Sequence, residues 1–224
     1  MLLPTFLKNS KWKVHERAYE INMVGFRANR TKANSFDDTF VVFFKNKYGF
    51  LEMQRYECTT DAGTFWLESP MMPQGTAILQ AGQYVNAYQL GFHRGKYKAF
   101  VQRGQVKIRR DYDRNAKLDF LNGEVMNGNY GINIHRATSN GTSKTVDKYS
   151  AGCQVLANSS DFAELISFGE KHENLYGNTF TYGLIDNRSQ QRTILRRTAV
   201  VTGLCAAAYG GLKVYENQKK HTLK

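Results

Sequence analysis

The sequence predicts a mainly β protein of sandwich or barrel type, with one or two helices and an apolar helix near its end. Three observations lead there. Short runs of aromatic and β-branched residues recur along most of the chain, broken by Gly, Asn and Asp. Several runs alternate, as in Val106-Lys107-Ile108-Arg109, which suits a sheet with one wet face. Helical spacing is clear in one internal stretch only. At 224 residues the chain has room for one sizeable core and an appendage.

In chain order, the expected strands are Tyr19–Phe26, Thr39–Lys45, Phe50–Thr59, Tyr88–His93, Tyr97–Gln102, Gln105–Asp111, Gly131–His135 and Phe180–Ile185. A steady series of short strands favours a sandwich or barrel. The internal helix starts at Asn158, Ser159 or Ser160, all good caps, with Asp161 in its first turn. Phe162, Leu165, Ile166 and Gly169 mark one face, and Gly177 is the stop. A domain over 1–187 is then followed by a basic linker over 188–197. Next comes an apolar helix over 198–215, and a basic tail over 216–224 ends the chain.

The stretch Thr198–Leu212 runs fifteen residues without a charge. At about 1.5 Å per residue it covers about 22 Å of a hydrocarbon core roughly 30 Å thick. Leu195, Val214 and Tyr215 extend it, and Arg197 and Lys213 can snorkel to the interfaces. Gly203, Ala207 and Gly211 line up at four-residue spacing, which lets helices approach closely in lipid. The segment is a candidate membrane anchor, and a buried helix packed on the sheet fits the same pattern. The N-terminus lacks the apolar run of a secretory signal, since Pro4 and Lys8 interrupt it.

The net charge is +12, of which +7 lies from Arg188 onward. Such a tail is attracted to anionic surfaces: membrane, wall polymer or nucleic acid. Arg103, Lys107, Arg109, Arg110 and Arg114 with Tyr112 form a small basic strand region, but no nucleic-acid motif accompanies them. A nucleic-acid partner is therefore not expected. Cys58, Cys153 and Cys205 are far apart, with no Cys/His set at zinc spacing, so neither a metal nor another cofactor is expected. Cys58 and Cys205 read as structural, and the odd count leaves room for one working thiol.

The informative stretch is Gly131 to Val155, GINIHRATSNGTSKTVDKYSAGCQV. A β-like segment ends at His135, a polar loop follows, and Ser150-Ala151-Gly152-Cys153 leads into Gln154-Val155. A thiol attacks a carbonyl as thiolate, and a nearby imidazole can take its proton. Eighteen positions separate His135 and Cys153, enough for a loop to bring the chain back alongside itself. A Gly before the Cys lets backbone N–H groups turn toward a developing oxyanion. On these residues alone, a small buried apolar cysteine remains the commoner reading.

This stretch resembles the L,D-transpeptidase catalytic domain family, which carries a His, a loop of this length, and then Ser/Thr-His-Gly-Cys. Here His135 is followed by fourteen residues and then Ser150-Ala151-Gly152-Cys153. The segment Ile21 to Asp186 is more narrowly similar to bacteriophage-encoded proteins of this kind. CTTDAGTFWLESPMMPQGTAIL, GFHRGKYKAFVQ and RDYDRNAKLDF carry that likeness beside the central stretch. The resemblance implies a β-sandwich with Cys and His at one end of a groove, acting on peptidoglycan stem peptides. Cys153 would attack, His135 would shuttle the proton, and amides near Gly152 and Cys153 would hold the oxyanion. A thioester would then go to water or to a second amine, and the sequence leaves that choice open. It also implies phage wall penetration or lysis, in a virion or the host envelope, with other virion proteins as candidate partners. A wall-docking or membrane-anchored virion protein without catalysis is the alternative.

Three departures stand out. Ala151 replaces the family's second His, Arg136 follows His135 where Gly is usual, and Gln154-Val155 follows Cys153 without an Arg. His93, in Gly91-Phe92-His93-Arg94-Gly95, is a candidate for the missing imidazole or an ordinary hairpin residue. Ser150 is a candidate positioning residue or a turn-former. Asp147 is a candidate for orienting His135, or simply solvated. Asp61 and Trp66 are candidates for lining the groove, although Trp66 reads more readily as simple core, and Tyr130 and Tyr149 are candidates for packing beside the motif.

Overall fold

The computed structural model describes residues 2–29, 31–121 and 123–188. Its elements in order are α1 (Leu3–Asn9), β1 (Asn22–Arg27), β2 (Asp38–Lys45), β3 (Leu51–Thr59), α2 (Thr64–Glu68), β4 (Thr76–Leu79), β5 (Gly82–His93) and β6 (Tyr97–Gln102). Then follow β7 (Val106–Asp111), β8 (Val125–Gly128), β9 (Ile134–Arg136), a 3-10 turn (Asp147–Tyr149), β10 (Gln154–Leu156), α3 (Ser159–Tyr176) and β11 (Phe180–Asp186). The linker, apolar helix and tail expected beyond Asn187 lie outside the described residues, Arg188 excepted. Among the described residues no helix is long and apolar enough to cross a membrane.

The mainly β class holds; of the sandwich and barrel that the strand pattern left open, the main sheet is a closed barrel, not the sandwich that the resemblance implied. Its strand order is β1-β11-β5-β6-β9-β10-β3-β2, and β4-β7-β8 form a separate sheet. Closure comes from β11, which pairs in parallel with β1 on one side and antiparallel with β5 on the other. Eight tilted strands enclose a space that side chains can fill.

The run Phe40-Val41-Val42-Phe43-Phe44 in β2 has no polar break because both faces are covered. Phe40, Val42 and Phe44 join the main core with Tyr88, Phe100, Ile134, Leu156 and Tyr182. Val41 and Phe43 point the other way, into a second cluster with Val24, Ile185 and Leu7 of α1. The period of two thus sorts one strand between two cores.

The expected helix is α3. Asn158 caps it, its side chain accepting from the amides of Ser160 and Asp161. Phe162, Leu165, Gly169 and His172 form its buried face, and Gly177 ends it with φ at +90°. α1 and α2 make three α-helices where one or two were expected; they are 7 and 5 residues long, too short to show a helical period.

Candidate active site

The site is assembled by register. β9 and β10 lie side by side in parallel, pairing Gln154 with Ile134 and Val155 with His135. The Gln154 amide donates to the Asn133 carbonyl at 2.9 Å, which fixes the residue before β10. Cys153, just before β10, and His135, in the middle of β9, are therefore brought to neighbouring strands and line one pocket of about 460 Å³. The loop between them returns the chain as the sequence required.

The turn before the nucleophile is tightly held. Ser150 is fully buried; its Oγ donates to the Cys153 carbonyl at 2.9 Å and accepts from the Gly152 amide at 3.1 Å. Ser150 is thus a positioning residue. Gly152 has φ +114°, and a Cβ there would sit 2.3 Å from the Ala77 carbonyl oxygen of β4. Only glycine fits this close approach. Because Ser150 takes the Gly152 N–H, that amide does not face the pocket as an oxyanion donor. The Cys153 N–H has no acceptor among the described residues and is the remaining candidate donor in the turn.

His135 is buried, and its Nδ1–H donates to the Arg136 carbonyl at 2.9 Å. A carbonyl only accepts, so the proton sits on Nδ1 and Nε2 carries the free lone pair. Nε2 is buried without a hydrogen-bond partner. The Tyr97 hydroxyl, from β6, also donates to the Arg136 carbonyl at 3.2 Å and lies 3.3 Å from Nδ1. Burial first, then the charges of His93 and Arg94, push the His135 pKa down to about 3.

Cys153 is half-buried and its Sγ reaches the Gly131 carbonyl at 3.4 Å. Burial pushes the thiol up to about 11, opposed by the Asn133 amide and by Arg94. At rest the pair is a neutral thiol and a neutral imidazole, each turned to a different partner.

His93, at the end of β5, stacks on His135 with ring centroids 4.1 Å apart and planes 26° off parallel. Its Nδ1 accepts from the Asn133 side chain at 3.1 Å, and burial lowers its pKa to about 4. It lines the same pocket as Ala151, so a second imidazole stands in the site although the motif lacks one. Tyr130 and Tyr149 line the pocket too.

Other expectations are corrected. Asp147 does not orient His135: its backbone amide is bonded to the Asn34 side chain in the exposed 3-10 turn, and His135 Nδ1 is held by Arg136 and Tyr97 instead. Arg136 contributes its carbonyl, while its guanidinium stacks over the Tyr97 ring at 4.6 Å. Asp61 does not line the groove; it is buried against Arg27, accepting from Nε at 2.9 Å and Nη2 at 2.8 Å. Trp66 instead donates its Nε1–H to the Lys148 carbonyl at 3.0 Å, tying α2 to the 3-10 turn. Gln154 points inward: its amide group donates to Thr60 and Gly152 carbonyls and accepts from the Tyr182 hydroxyl at 2.7 Å. This departure from the family pattern lies in the barrel core, not in the pocket.

Among the described residues no group of three His, Cys, Asp or Glu could hold a metal ion. Comparison with family models, with curated proteins and with solved structures gave no match.

Proposed function

We propose that the protein is a cysteine acyltransferase or peptidase of the L,D-transpeptidase type, acting on peptidoglycan stem peptides. One observation carries the reading. Cys153 immediately precedes β10, His135 lies within the adjacent parallel strand β9, and both line one pocket, with His135 locked in the tautomer whose Nε2 is free to accept a proton.

The geometry fits a general-base mechanism. Passing a proton from a thiol near 11 to an imidazole near 3 is uphill, so it must accompany C–S bond formation rather than precede it. An incoming amide carbonyl draws Sγ away from Gly131, and Nε2 takes the thiol proton as the attacked carbonyl carbon becomes tetrahedral. The Cys153 N–H stabilises the oxyanion. His135 then returns the proton to the leaving amine, and the thioester goes to water or to a second amine. Of the two, hydrolysis during phage wall penetration or lysis is the simpler biological role.

A docking module without turnover is the second reading, favoured by the absence of a hydrogen bond between the resting thiol and His135. Mass spectrometry of muropeptides from murein sacculi treated with wild type and Cys153→Ala separates the two. The enzyme reading expects new muropeptides with wild type only. Unchanged muropeptides, or products that persist with Cys153→Ala, would sink it.

A further inference from the structure

Behind the pocket wall lies a loop rich in side-chain oxygens. Arg110 of β7 lines the pocket, and Asp111, the last residue of that strand, does not. Successive strand residues face opposite sides, so Asp111 turns away from Cys153. The chain then runs Asp111-Tyr112-Asp113-Arg114-Asn115-Ala116-Lys117-Leu118-Asp119. Carboxylate or carboxamide side chains fall at the first, third, fifth and ninth places. That is the spacing with which one loop wraps a calcium ion, the main-chain carbonyl of the seventh residue, here Lys117, being a further ligand. Ala116 stands at the sixth place, where Gly is usual; here Arg114 takes the left-handed conformation, φ +56°.

The side chains of the loop fold onto its own amides. Asp111 Oδ2 accepts from the Asp119 amide at 2.8 Å, Asp113 Oδ1 from the Asn115 amide at 3.3 Å, and Asn115 Oδ1 from the Lys117 amide at 2.7 Å. These bonds shape the loop without pointing to a ligand. Asp111 points to one: it is fully buried, and its Oδ1 has no hydrogen-bond partner among the described residues. The Asp113 carboxylate stands beside it; burial first, then the charges of Asp113 and Asp119, hold the Asp111 carboxyl up near 6. Neighbouring carboxylates of this kind repel unless a cation lies between them. Arg114 and Lys117 belong to the same loop, yet among the described residues neither Asp111 nor Asp113 has an ion pair. Residues 112–117, which carry Asp113 to Asp111, are exposed throughout, so a bare ion reaches the pair from the solvent side.

We propose that residues 111–119 form a calcium site, with Asp111 Oδ1, the Asp113 carboxylate, Asn115 Oδ1 and the Lys117 carbonyl as ligands and Asp119 acting through a water. No three carboxylates converge on one point. A hard cation does not need three, since carboxamide, main-chain and water oxygens complete its roughly six to eight ligands. The Cys/His spacing that speaks against zinc has no bearing on an ion held by oxygens. Magnesium, which demands a near-octahedral shell and keeps its waters, suits such a loop less well. The site lies outside the pocket and stands whether or not Cys153 catalyses anything.

The test is calorimetric titration of calcium chloride into the full-length, chelator-treated protein, with thermal melts beside it. Binding should show a Kd on the order of 10⁻⁴–10⁻³ M. About 10 mM calcium should then raise Tm by about 3–10 °C. Magnesium chloride should give little of that gain, and sodium chloride at equal ionic strength none. Asp113→Asn should lose the gain, yet in chelator melt no lower than wild type, because it also removes the repulsion. A carboxylate that merely shapes the loop would not show that reversal. No calcium binding to wild type, or an equal shift with magnesium or sodium, overturns the proposal without any variant having to fold. A calcium gain that survives Asp113→Asn overturns the assignment to this loop.

Discussion

His135 differs from an ordinary histidine base in when it is ready to work. Its ordinary pKa of 6.5 is lowered to about 3, so the neutral ring persists far into acid. The competent pair, neutral imidazole and neutral thiol, exists from about 3 to about 11. The kcat/KM profile should therefore stay flat as pH drops from 7 to about 5, where an unperturbed histidine would already have lost most of its activity. An acid limb centred near 6.5 would show that burial does not set this base. His135→Gln should lower kcat by roughly a hundredfold or more while Cys153 remains in place. Cys153, His135, Ser150 and Gly152 were legible in the sequence because they share one short segment with a recognisable order. Tyr97 and Arg110 were not. They come from strands distant in sequence, and nothing in the residues around them marks what folding brings alongside.

At the scale of elements, length decided what could be read. Tyr97–Gln102 was predicted to the residue, and β2, β3, β7 and β11 to within one residue at each end. β4, β8 and β10 went unpredicted because three or four residues cannot display an alternation, and β10 is set by pairing with β9 and β3 rather than by its own pattern. Asp61 was misread, and Asp147 left between two roles, for a related reason: a carboxylate's partner depends on tertiary contacts, not on its neighbours in sequence. Within α3, Gly169 shows packing overriding propensity. Alanine is the better helix former by about 0.5–1 kcal/mol. A Cβ there would lie 2.7 Å from Cζ of Phe100, a fully buried ring. Overpacking of that kind costs about 1–3 kcal/mol. Gly169→Ala should thus destabilise the protein by about 1 kcal/mol net in urea unfolding, and a gain in stability would mean the ring moves aside freely.

For the molecule as a whole, buried imidazoles dominate the response to acid. His93, His135 and His172 are lowered to about 4, 3 and 4, and His172 Nδ1 accepts the Ile21 amide at 3.0 Å, a bond that protonation there would remove. Below 6.5 the unfolded chain binds protons at these positions and the folded one does not, so stability falls as pH drops from 6.5 toward 4. Asp38 and Asp111 act in the opposite sense. Both are raised to about 6 by burial, so the folded state binds their protons first and loses that advantage as pH rises through 6. Three large imidazole shifts outweigh two smaller carboxyl ones. Glu20, held near 2 by Arg17, adds to the loss below its ordinary 4.5. Thermal melts should show Tm climbing from pH 4 to 6.5 and then levelling; a Tm highest near pH 4 would contradict this balance.

The manner in which β11 completes the barrel has a bearing on synthesis. Phe180–Asp186 wedges between strands that begin at residues 22 and 82, so its two partners wait unjoined until the last tenth of the way to Arg188 has been translated. Throughout that interval a nascent polypeptide displays two bare strand margins able to recruit a neighbouring copy. A premature stop before residue 180 would thus yield a sticky product rather than a smaller working one, even though every residue of the thiol–imidazole pair would already have been made.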